Sequence, residues 1–385
     1  MDLPIYLDYN ATTPLDPRVL DTMLPYFKEK YGNAASATHS KGWVAAKAVD
    51  TAREVIAGSI GAHVQEIYFT SGATEGINAC LKGVAELYEG KGNHIVTVRT
   101  EHKAVLDVCE SLERKGKEIT YLSVDADGLI DLNELESAVR GDTLMVCVML
   151  ANNETGVIQP MKVIADIVHE KGSLLMSDAT QAIGKIPVDV NDLGIDLMVM
   201  SAHKFYGPKG VGAMYLRRKK PRVRIYPLIE GGGHERGVRS GTLNVPGIVG
   251  MGKALELCHE SMQADIEEMR NLRDHFEHFL LQGIGIRRNG HEVHRLSHVS
   301  NLAFEGVDSQ KLVEALRDLS VSTGSACTSA KMEPSHVLKA MGRPDNLAFG
   351  SVRFSLGRFT NTEEIEYAST YVKTTLEKLR LQAVR

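Results

Sequence analysis

Between residues 66 and 204 five short apolar runs each end in a polar cluster, and helix-like segments separate them. Glu66-Ile-Tyr-Phe-Thr70 runs into Ser71-Gly-Ala-Thr-Glu75, and His94-Ile-Val-Thr-Val98 into Thr100-Glu-His102. Thr143 to Met149 leads to Asn152-Asn-Glu154, Ser173 to Met176 to Asp178-Ala-Thr-Gln181, and Leu197 to Met200 to Ser201-Ala-His-Lys204. Strand-like runs alternating with helical ones mark an α/β chain with a mostly parallel sheet. Parallel strands all point one way, so the clusters that follow them gather along one edge, where ligands bind in open α/β folds. The alternation therefore predicts both a fold class and one pocket.

The lysine of the fifth cluster is the most suggestive residue. At a dry strand mouth desolvation lowers the pKa of an amine, so Lys204 can attack a carbonyl and form a Schiff base; pyridoxal phosphate is the cofactor that uses such a lysine. A solvated surface charge is the plain alternative. Around Lys204 the other clusters supply matching chemistry. Ser71 to Glu75 opens a helix with small residues, which lets backbone N–H groups hold a phosphate, with Ser201 and His203 as further donors; ordinary helix capping explains the same residues. Asp178 can keep a pyridine nitrogen protonated, or cap a turn. Gln181 can donate to the ring's phenolic oxygen and Thr180 can pack beneath it. His102 can stack on the opposite face and move protons, or be structural, and Asn153 has the same two readings.

Two further residues stand outside the strand clusters. Cys327 lies in Val321-Ser-Thr-Gly-Ser-Ala-Cys-Thr-Ser-Ala330, a run of small residues where an exposed thiol on a loop suits a nucleophile. Cys80, Cys109, Cys147 and Cys258 sit in apolar patterns and read as core. Arg353 is a fork able to hold a carboxylate in two hydrogen bonds, or a surface ion pair.

At 385 residues the chain exceeds one hydrophobic core, and 14–259 reads as a large domain, with 1–13 and 260–385 as a smaller one. A helix is expected from Val245 to about His259, a separate one with Ile266, Met269, Leu272, Phe276 and Phe279 on one face, and a last one opened by a capping box at Thr360-Asn-Thr-Glu363. A net charge of -5 argues against general nucleic-acid affinity, and Arg217 to Arg224 reads as a local solvated edge. No apolar run is long enough for a membrane span and the start lacks a signal-like segment, so a cytoplasmic protein is expected. Five cysteines without C-x-x-C spacing indicate neither a zinc site nor disulfides.

Taken together, Tyr6-Leu-Asp-Tyr-Asn-Ala-Thr-Thr-Pro14, Ser71-Gly-Ala-Thr-Glu75, Asn152-Asn-Glu-Thr-Gly156, Asp178-Ala-Thr-Gln181 and Ser201-Ala-His-Lys204 make the chain recognisable, along with Gly231-Gly-Gly-His-Glu-Arg-Gly237, Arg239-Ser-Gly-Thr242, Thr323-Gly-Ser-Ala-Cys-Thr-Ser329 and Arg353-Phe-Ser-Leu-Gly357. It resembles the cysteine desulfurases of the NifS and IscS type, within the class V aminotransferase-like enzymes of pyridoxal phosphate fold type I. The resemblance implies a large domain on a mostly parallel seven-stranded sheet and a smaller α+β domain. It implies Lys204 as the Schiff-base lysine, Ala73, Thr74, Ser201 and His203 as the phosphate cup, and Asp178, Gln181, Asn153 and His102 around the ring. It further implies Thr242 reaching the phosphate of a neighbouring subunit in a homodimer, Cys327 accepting sulfur, and Asn153 and Arg353 holding the substrate carboxylate.

The expected reaction takes L-cysteine to L-alanine and a persulfide on Cys327, with sulfur passed to an iron-sulfur scaffold protein or another acceptor. Transient contact of Cys327 with an iron-sulfur cluster is the only metal contact expected. A selenocysteine lyase, an aminotransferase and an inactive subunit of a sulfur-assembly complex are the rivals. The chain departs from its likeness at Gly32-Asn-Ala34, where the family often has proline, and in stopping at Arg385, shortly after its last helix, where many relatives carry a scaffold-docking tail.

Overall fold

The computed structural model describes residues 2–323 and 334–383. Seven strands form the central sheet: β2 (Ile67–Thr70), β3 (His94–Val98), β4 (Glu118–Leu122), β5 (Thr143–Cys147), β6 (Leu174–Asp178), β7 (Leu197–Ser201) and β8 (Gly212–Leu216), in the spatial order β2-β8-β7-β6-β5-β3-β4. All run parallel except β8, which is antiparallel to both its neighbours. The five polar clusters thus do share one edge. The reversed β8 brings Gly212 opposite Thr70 on one side and Ser201 on the other, closing the corner beside Lys204.

Both faces of the sheet are covered, which is why its strands read as continuous apolar runs rather than alternating ones. Leu197 and Val199 pack on one side with α3 (Ala73–Leu87) and α4 (Lys103–Glu113). Met198 and Met200 pack on the other with α1 (Pro17–Lys28), α2 (Ser40–Ser59) and α6 (Met161–Glu170), while α5 (Leu132–Ala138) adds Leu135 at the margin.

The region expected to hold two helices from Val245 onward holds one, α7 (Val245–Leu281), 37 residues long. Neither glycine nor proline interrupts the stretch after Gly252, and its residues form helix readily, so nothing local stops it. Its first half packs in the sheet's core through Ile248, Met251 and Leu255, and its second half in a separate core through Leu272, Phe276 and Leu280. Exposed residues such as Gln263 and Ala264 lie between, and Arg358 ties this middle down, donating to Ser261 and Asp265 while stacking over Tyr206.

That separate core gathers Ile5 and Leu7 of the N-terminal arm with α8 (Ser309–Ala315), α11 (Thr362–Ala383) and an antiparallel sheet of β9 (Ile286–Asn289), β10 (Val299–Phe304) and β12 (Ser351–Ser355). In the arm, β1 (Ile5–Tyr6) pairs in parallel with β11 (Leu319–Ser320). Two short helices, α9 (His336–Ala340) and α10 (Asp345–Phe349), share a small cluster around Leu338. The capping box of α11 exists one residue later than its sequence pattern suggests: Asn361 and Glu364 exchange the two hydrogen bonds, at 3.0 Å each. The Thr360 hydroxyl instead accepts from the Gly357 N–H.

Candidate active site

Lys204 follows β7 on a single 3-10 turn, Ala202–Lys204, and its Nζ donates to the backbone carbonyls of Asn10 at 2.6 Å and Ala11 at 2.8 Å. Burial brings its ammonium down to about 8, Arg353 repels it further, and Asp178 and Asp8 oppose both. A sizeable fraction of the amine is therefore neutral just above neutral pH, as a nucleophile requires.

The Asn10 carbonyl also accepts from Gln181 Nε2 at 2.9 Å, so one oxygen receives donors from two of the expected residues. The Asn10 side chain donates to the Asn153 carbonyl, and its Oδ1 faces His298 Nε2 at 2.9 Å. Arg353 Nη1 donates to the same Asn153 carbonyl and its Nη2 pairs with Asp8 at 2.6 Å. Lys204, Gln181, Asn153 and Arg353 thus meet through an arm that reads from sequence only as an extended lead. The arm's signal was present in Asp8 and Asn10, polar residues set among Tyr6, Leu7 and Tyr9, and their partners lie far along the chain.

The Asn153 Oδ1 and the Thr180 Oγ1 are buried without a hydrogen-bond partner, and such atoms are costly unless something else satisfies them. Asp178 closes β6 and accepts the Thr180 N–H on Oδ1. No side chain caps the N-terminus of α3, where Ala73 and Thr74 form the first turn, so those N–H groups stay available to an anion. The turn before it is held by Glu75, which accepts from the Ser71 N–H and pairs with Arg239. Burial works against that carboxylate, but the pair with Arg239 and the Ser71 donor hold it below the usual range.

The Ser201 hydroxyl lies where a side chain on Gly72 would nearly touch it, 3.5 Å from the added carbon. His203 is half-buried with Nδ1 on the Thr12 hydroxyl, and burial followed by Lys204, Lys209 and Lys185 brings it down to about 4. It is a neutral group at physiological pH. His102 caps α4, its Nδ1 accepting the Ala104 N–H, which leaves the proton on Nε2. Local crowding desolvates its ring and lowers its pKa, with Asp178 pulling the other way and Lys204 adding to the decrease. Behind it Glu101 is fully buried, and burial holds its carboxyl well above the usual range despite the Met149 N–H.

One of the described expected residues is not joined to this group. Thr242 is exposed just ahead of α7, on a loop whose Glu235 and Arg236 carry positive φ angles of 46° and 57°. Cys327 lies outside the described residues. Cys80, Cys109, Cys147 and Cys258 are buried free thiols, and burial pushes the first two up to about 12, Cys147 well above its usual value and Cys258 to about 11, which leaves them unreactive.

The chain belongs to the class-V aminotransferase family, whose family model matches residues 5–368. Within that family it is 50% identical over 381 residues to a cysteine desulfurase IscS of Rickettsia massiliae, covering 99% of this chain and 93% of that protein. It is 52% identical to the cysteine desulfurase IscS of Anaeromyxobacter dehalogenans, covering 99% and 94%. Among solved structures a NifS-like protein superposes with a TM-score of 0.91 at 40% identity, over 98% of this chain and all of that one. SspA in complex with cysteine superposes with a TM-score of 0.81 at 36% identity, over 93% of this chain and all of that one.

Proposed function

We propose that this chain is a pyridoxal-phosphate-dependent cysteine desulfurase that takes L-cysteine to L-alanine and leaves the sulfur on Cys327 as a persulfide, for delivery to an iron-sulfur scaffold protein or another acceptor in the cytoplasm. The observation that carries the reading is the Lys204 amine, brought to about 8 by burial at the mouth of β7 and within the field of Asp178 and Arg353. The relatives at 50% identity and above support the activity.

The site fits the cofactor in its donor set. The uncapped first turn of α3 with Ser201 and a neutral His203 suits a phosphate, and the unpartnered Asn153 Oδ1 and Thr180 Oγ1 await polar contacts. Asp178 would hold the ring nitrogen, Gln181 the phenolic oxygen and His102 the exposed ring face. When bound, pyridoxal phosphate supplies an electron sink for the carbanion at the substrate's α-carbon.

The chain's own residues do the rest. Arg353 holds the substrate carboxylate, Lys204 removes the α-proton at its Nζ, and His102 moves a proton at Nε2. Cys327 attacks the substrate sulfur, so that one carbon–sulfur bond breaks as one sulfur–sulfur bond forms. Thr242, exposed on its strained loop, would complete the site of a second copy in a homodimer. We take 14–259 as the cofactor-binding domain, with 1–13 and 260–385 as the domain carrying Cys327.

Lys204→Ala is expected to lose both the absorbance of bound cofactor and alanine formation. Cys327→Ser should bind cofactor normally and form no persulfide, as read by mass spectrometry after one turnover; undiminished sulfide release from that variant would sink the role of Cys327.

A further inference from the structure

Behind the Lys204 seat lies a second lysine that the proposed reaction does not use. Lys185 is 7% exposed, and its Nζ donates to Gln181 Oε1 at 2.8 Å. The Gln181 amide is in turn fixed at its other end, because the Asn10 carbonyl can only accept, and so must face the NH2 group. That leaves Oε1 turned inward, where Lys185 is the donor that satisfies it. The second lone pair of the Asn10 carbonyl holds the Lys204 amine.

Asn10 is itself locked in place: its N–H donates to the Ser355 hydroxyl, its side-chain NH2 to Asn153, and its Oδ1 accepts from His298 Nε2. His298 must be the donor there through Nε2–H; burial pushes its pKa well down, and its Nδ1 has no hydrogen-bond partner. The result is an unbroken path, Lys185 to Gln181 to Asn10 to Lys204, each link 2.9 Å or shorter.

We propose that Lys185 is a positioning residue: its amine, seated on the Gln181 side-chain carbonyl, keeps that amide turned toward Asn10 and so fixes the carbonyl on which the Lys204 amine rests. This rests on the reading of Lys204 given above. Burial, followed by the nearby Lys204, pushes the Lys185 pKa well down, with Cys258 opposing and Arg353 adding to the decrease. Tyr206, Asp265 and His298 border the same small void. Removing the Lys185 amine would strand a buried carbonyl oxygen and free the Gln181 amide to turn.

The test measures how fast the apoprotein condenses with added pyridoxal phosphate, followed by absorbance across pH, together with thermal melting of each apoprotein. Lys185→Met is expected to slow condensation by about tenfold, the size of one lost buried hydrogen bond. Gln181→Leu should slow it comparably, and the double variant should be no slower than Gln181→Leu alone, because Lys185 works through Gln181. Lys185→Gln keeps a neutral N–H donor in the same space and should stay within about threefold of wild type. A Lys185→Met protein that condenses as wild type does, effects that multiply in the double variant, or a Lys185→Gln protein as slow as Lys185→Met would each overturn the proposal. Wild-type apoprotein that fails to condense at all would instead sink the reading of Lys204, and this inference with it.

Discussion

Asp8 pairs with the guanidinium proposed to hold the substrate carboxylate. Its 2.6 Å pair with Arg353 is nearly desolvated on the arginine side, so a substrate carboxylate bound there would compete with Asp8 for one buried cation. Asp8→Asn removes the competing charge and keeps the shape. It is expected to lower KM for cysteine on the order of tenfold, the worth of one charge-assisted hydrogen bond. Because Asp8 also raises the Lys204 pKa, the same variant should move the alkaline onset of cofactor condensation below about 8. An unchanged KM would show that substrate reaches Arg353 without displacing Asp8. Residues at this scale divide by what sequence can carry. Lys204, Asp178, Gln181 and His102 are legible because each breaks an apolar run at a strand's end. His298 is not, since its meaning comes from Asn10, 288 positions away, and Lys185 is not, since a lysine four residues after Gln181 reads as an ordinary solvated neighbour.

At the scale of elements, periodicity gives the strands and most helices but misreads α7. A helix from Val245 to about His259 and a separate one bearing Ile266 to Phe279 are expected, whereas one rod passes from one core to another. Gln263 is exposed at the midpoint, so Gln263→Pro tests the difference without touching either core. A continuous helix predicts a loss of about 3 kcal/mol or more in urea unfolding, whereas a loop would tolerate proline there. At α11 the cap is set by which residue turns its side chain back. Asn361→Ala should cost about 1 kcal/mol in the same measurement, and Thr360→Ala should leave the helix start intact. The one-residue shift was not legible, because Thr360 and Asn361 both suit the position and a local turn back to the Gly357 N–H claims the threonine.

Across the whole molecule, buried histidines make the fold sensitive to acid. His203 at about 4 and His298, well below 6.5, refuse protons that the unfolded chain accepts, so their contribution to stability falls as pH drops from about 6.5 toward 4. Burial raises the pKa of Glu101 and Glu154 and acts in the opposite sense, so the informative measurement is a difference. His203→Gln should lose less stability than wild type across that window, and parallel curves would remove His203 from the account.

The N-terminal arm has one more consequence. Residues 5–16 hydrogen-bond to residues 203 and 206, to 318 and 320, and to 355. This arm is synthesised before β12 and is therefore among the last segments to find its place, waiting until β12 has emerged. The lysine's seat is a late assembly, and a nascent chain can hold a finished sheet for some time before it has anywhere to rest the amine.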